Sequence, residues 1–121
     1  PQKLRELAIL ITARHWMAQY EWYAHEGHAR DAGLPEAVIE AVRRGERPEF
    51  DDGAEEEIYD FCTELYETRR VSDTTYGKIE ARFGKAGAVE LAGLLGHYNL
   101  IAITLNVGEI PVPGGETPLA D

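Results

Sequence analysis

Apolar residues recur at helical spacing along most of the chain. In "KLRELAILITARHWM", residues 3–17, Leu4, Leu7, Ala8, Ile9, Leu10 and Ile11 are apolar, and the charges cluster near the start. This pattern predicts a strongly buried helix. The helical pattern continues through 18–32, where Tyr20, Tyr23, Ala24 and Gly27 form a stripe, with room for a break between Trp16 and Gln19. In "AGLPEAV", Gly33 suits a helix end and Pro35 suits the first turn of a helix running to about residue 44.

"RRGERPEFDDG" reads as a loop. A helix over about 53–70 follows. Its stripe is Ile58, Phe61, Cys62, Leu65 and Tyr66, and Glu55, Glu56 and Glu57 complement its positive end. Ser72 or Asp73 can cap a short helix that stops at Gly84, and a last long helix covers about 85–107. Its small residues Gly87, Ala88, Ala92 and Gly93 permit close helix contact. The tail "GEIPVPGGETPLAD" reads as extended or loose, within reach of a neighbouring subunit. No strand alternation and no strong repeat is present. The expected fold is all-α, a bundle of about six helices over 1–108 with a Pro/Gly-rich tail over 109–121.

Composition narrows the function classes. At 121 residues the chain suggests one domain, and 44% hydrophobic with 28% charged residues is a globular balance. The net charge of −10 repels phosphates and anionic headgroups, which disfavours nucleic acid and membrane partners. "LAILITA" is too short to cross a bilayer, and the apolar run near 86–107 is interrupted by His97, Asn99 and Asn106. Cys62 is the only cysteine, so there is neither an intrachain disulfide nor a CxxC pair; a reducing cytoplasm fits. The chain begins at Pro1 without a methionine, as a piece of a longer protein would.

The densest chemistry lies in "QYEWYAHEGHARDAG". Glu21, His25 and His28 stand at i, i+4 and i+7, on one helical face. Carboxylate and imidazole together move protons near neutral pH. The same spacing also suits a solvated pair that merely supports the helix. As a lesser alternative it could supply two or three ligands to zinc or iron, completed by Glu6, His97 or another subunit. Trp16, Tyr20, Trp22 and Tyr23 could wall a pocket or anchor a core. Arg5 and Arg14 could clamp a carboxylate or sit in surface ion pairs. His97 reads as a hydrogen-bonded core histidine, and Cys62 as a small buried hydrophobe. Phosphate-loop, nucleophile-elbow and dinucleotide fingerprints are absent.

"LRELAILITARHWMAQYEWYAHEGHARDAGLPEAVIEAVRRGE" resembles the carboxymuconolactone decarboxylase family, which includes the alkylhydroperoxidase AhpD-like proteins. The Arg-Glu-Leu opening, Glu-x3-His and "AxxAGL" carry the likeness, and "LLGHYNLIAITLNVGEIPVP" is similar to the closing helix of longer members. The peroxidase branch keeps a glutamate, a CxxC pair and a histidine. These fall here on Glu6, Ala18 with Glu21, and His25, so both thiols are missing. The decarboxylase branch lacks the pair, and the resemblance then implies loss of CO2 from a small carboxylated lactone, without a cofactor or metal. His25 would be the acid, Glu21 would orient it or share the proton, and Glu6 would belong to the same catalytic set. Arg14, Trp22 and His28 are the candidates for substrate binding. Family members assemble as trimers or hexamers, so the resemblance also implies a homo-oligomer.

Overall fold

The computed structural model describes residues 1–119. Five helices follow one another: α1 (Gln2–Trp16), α2 (Gln19–Asp31), α3 (Glu36–Arg43), α4 (Gly53–Thr68) and α5 (Asp73–Val107). No strand occurs among the described residues. The sequence pattern divides α5 into two helices at Gly84. There the backbone leaves the helical region (φ 77°, ψ 173°), so α5 consists of two helical halves that meet at a kink where the sequence places the break.

α1 is the central post. It touches each of the other four helices, and residues 6 through 13 are buried on every side. A helix that is apolar all round has no solvent face, which is why the run "LAILI" needs no polar stripe. Leu7, Leu10 and Ile11 pack with Trp22 of α2, Val38 and Ile39 of α3, Phe61 and Cys62 of α4, and Leu91 and Leu95 of α5. Each large side chain buried this way contributes roughly 1.5–3 kcal/mol.

Local chemistry sets where the helices end. After Trp16, Met17 turns left-handed (φ 50°), and the Ala18 amide donates back to the Ala13 carbonyl. The same closure recurs at Gly33 (φ 96°), where Leu34 donates to Ala29, and glycine bears that angle without strain. Pro35 precedes α3 as its N-cap residue. Asp52 caps α4 by accepting from the Ala54 amide, and Ser72 caps α5 by accepting from that of Thr75. Lys3 joins Asp52 at 2.7 Å and the buried Glu55 at 2.9 Å, pinning the start of α1 to the start of α4.

The tail makes a short 3-10 turn at Pro113–Gly115, flanked by extended backbone at Val112 and Glu116, and its last two residues lie outside the described residues. Leu119 is fully buried in the core, and its amide donates to the Gln19 side chain at 2.8 Å. Val112 and Leu119 hold the described part of the tail against the bundle.

The second half of α5 behaves differently from α1. Val89, Leu100, Ile103 and Val107 are exposed although the helix is apolar. Asp73–Val107 is long and apolar enough to cross a membrane by length and composition, with 28% of its most apolar window buried.

Candidate active site

Glu6 lies on the buried post, 3% exposed, and needs donors. It has two. Gln2, one turn earlier on α1, donates its amide to Oε2 at 2.9 Å. His25 Nδ1 of α2 lies 2.8 Å from Oε1. With a carboxylate partner, Nδ1 carries the proton, which leaves Nε2 as the chemically variable nitrogen. The antiparallel packing of α1 and α2, set by the tight turn at Met17, brings residues 19 positions apart into contact.

Glu21 occupies the first turn of α2, one turn before His25, and is 2% exposed. Neither of its oxygens has a hydrogen-bond partner. Desolvation pushes its carboxyl group up from the ordinary range to about 8. A carboxylate near a helix start normally gains from the helix dipole, but the loss of water outweighs that gain here. Glu21 therefore holds its proton at neutral pH. Of the two glutamates, Glu6 contacts His25, and Glu21 contacts no hydrogen-bonding group.

Around His25 stand Tyr98 of α5, edge-on at 5.4 Å between ring centroids, and the exposed His28, edge-on at 5.7 Å. His97 lies edge-on to Tyr98 at 5.1 Å and is exposed, so the reading of a core histidine fails; that turn of α5 faces outward. Arg5 reaches the same ring, its guanidinium 5.8 Å from the centroid and 3.4 Å from the Tyr98 hydroxyl. Sequence reasoning did not connect Tyr98 or Gln2 with the site. The signal for Gln2 was its place one turn before Glu6; Tyr98 offered none beyond adjacency to His97.

The remaining candidates lie elsewhere. Trp22 is fully buried in the core, and its indole N–H donates to Glu26 at 2.7 Å. Arg14 sits two turns beyond Glu6 on α1, about 12 Å along the axis. It donates to the Arg43 carbonyl at 3.2 Å. It helps line a cavity of about 400 Å³ with His15, Thr63 and Tyr66, on the side of α1 that faces α3 and α4. There the Tyr66 hydroxyl, 2.6 Å from Thr12, also accepts from the Asn99 amide at 2.8 Å, and His15 stacks on its ring at 4.2 Å. A second cavity, about 360 Å³, opens between the start of α1 and α5 and is lined by Gln2, Arg5, Leu4 and Leu94 among others. It adjoins the Glu6–His25 pair through Gln2.

Cys62 is fully buried on α4, and desolvation pushes its thiol well up, so the nucleophilic thiolate is suppressed. Among the described residues no three His, Cys, Asp or Glu side chains assemble as a metal-binding group. No protein-family model, curated protein or solved structure matches this chain.

Proposed function

We propose that this chain is a cofactor-independent lyase of the carboxymuconolactone decarboxylase type, acting on a small carboxylated lactone. The observation that carries this reading is the 2.8 Å contact between His25 Nδ1 and the buried Glu6. That contact fixes the orientation of the imidazole ring, which is what a positioned acid requires. The sequence resemblance supplies the substrate class.

The step balances as follows. The bond between the substrate carbon and its carboxylate breaks heterolytically and CO2 leaves. The electron pair passes into the conjugated lactone carbonyl, giving an enolate. The imidazolium of His25 delivers its Nε2 proton to carbon, so a proton replaces CO2. Glu6 holds the ring throughout, and His25, partly exposed, regains its proton from solvent. The thiol-peroxidase reading is disfavoured, because Ala18 and Glu21 occupy the two cysteine positions and Cys62 is sealed in the core.

The assembly is proposed as a cytoplasmic homo-oligomer, a trimer or hexamer. The exposed apolar residues Val89, Leu100, Ile103 and Val107 support self-association through α5. A non-catalytic oligomeric binding protein is the reading to beat. Incubating the chain with carboxymuconolactone and following CO2 release separates the two. Release above the uncatalysed rate is expected, with a loss of about 10²-fold or more in His25→Ala. A wild-type chain that releases no CO2 would leave only the binding role.

A further inference from the structure

The chain carries 22 acidic and 12 basic residues, and among the described residues six cations are held by carboxylates. Lys3, Arg30, Arg43, Arg44, Arg47 and Arg82 are all held in ion pairs. Arg5 is not. Its contacts are the long 3.4 Å approach to the Tyr98 hydroxyl and the face of the Tyr98 ring. Both leave most of its five donors unused. Arg69, Arg70, Lys78 and Lys85 also lack ion pairs, but none of them lines either of the two cavities described above.

The position of Arg5 is specific. It is one residue from Glu6 and lines the 360 Å³ groove, whose apolar wall is Leu4, Ile58, Phe83, Leu91 and Leu94, with Glu90 also on the lining. His25 and His97 lie edge-on to the Tyr98 ring that Arg5 covers. A guanidinium without a carboxylate partner is the local charge that opposes the global field where an anion must enter.

We propose that Arg5 is the specificity-determining residue of this site. Its guanidinium, backed by Tyr98, binds a carboxylate of an organic acid whose apolar body lies in the groove, with the reacting end toward His25. The planar fork suits bidentate capture of a carboxylate, which a lysine at this position would not reproduce. A cavity of this volume sits at the small end of ligand pockets and takes a compact ring rather than a chain or a peptide. The proposal rests on the proton-transfer reading for the reacting end, but the anion preference itself is independent of turnover.

The test uses the full chain and a simple probe, 5-oxotetrahydrofuran-2-carboxylate, beside its neutral methyl ester. Binding is followed by NMR in wild type, Arg5→Gln and Arg5→Lys. Arg5 is exposed, so both variants are expected to keep the wild-type amide spectrum. The acid should bind wild type about tenfold or more tightly than the ester, with shifts at the Arg5 Nε–H and the His25 ring protons. Arg5→Gln should erase that preference, and Arg5→Lys should keep only part of it. Equal affinity for acid and ester overturns the proposal. So does a preference that survives in Arg5→Gln, or an absence of saturable binding by the acid. An Arg5-dependent preference without CO2 release in the turnover assay keeps this assignment and removes the lyase; CO2 release that ignores Arg5 does the reverse.

Discussion

The starts of α1 and α2 each bury one glutamate, and the two fare in opposite ways. Glu6, 3% exposed, receives the Gln2 amide on one oxygen and His25 on the other. Glu21, 2% exposed, receives nothing and holds its proton to about pH 8. Burial is the same in both regions, so exposure does not decide the state of a carboxyl group; the donors around it do. One carboxyl group is thus an acceptor for imidazole, and the other a neutral acid without a partner.

The largest effect that can break this comparison is on stability. Glu21 has a folded-state value raised from 4.5 to about 8. Between those limits the unfolded chain releases its proton while the folded chain keeps it. Stability therefore falls as pH rises through this window, by about 1.4 kcal/mol per unit, and is flat above it. Glu21→Gln removes the titration, since a neutral amide replaces a neutral acid. Urea unfolding at pH 5 and pH 8 should show a greater loss of stability across that interval in wild type than in the variant. Equal drops in both proteins would mean that Glu21 is ionised in the fold.

The next effect is on activity. Glu6→Ala removes the acceptor that holds His25 Nδ1 and frees the ring to rotate. CO2 release should fall about 10²-fold, and Glu6→Gln, which keeps an acceptor, should retain more of the rate. A Glu6→Ala variant with the wild-type rate would reduce the contact to a structural one.

Much of the fold was legible because the determinants are local. The 3.6-residue period, the capping serine at 72, the left-handed glycine at 33 and the break at Gly84 all act within a few residues of themselves. The docking of the tail was not legible, because it depends on Leu119 reaching a core that no nearby residue specifies. At the site, spacing put Glu21 and His25 on one face, yet the carboxylate that holds His25 is Glu6, 19 residues earlier. Helical periodicity reports neighbours on one helix, and this contact is made between two. Trp22 and His97 show the same limit from opposite sides: an aromatic in a polar segment lies in the core, and a histidine in an apolar segment lies outside.

The central claim is that His25, held by Glu6, hands a proton to carbon as CO2 leaves. Turnover of carboxymuconolactone in D2O tests it most directly, with the product examined by NMR at the ring carbon beside the lactone carbonyl, where the conjugated enolate takes up its proton. Wild type should place deuterium there in step with CO2 release, and His25→Ala should do so no faster than the uncatalysed reaction. Equal rates of deuterium incorporation in the two proteins would contradict the account.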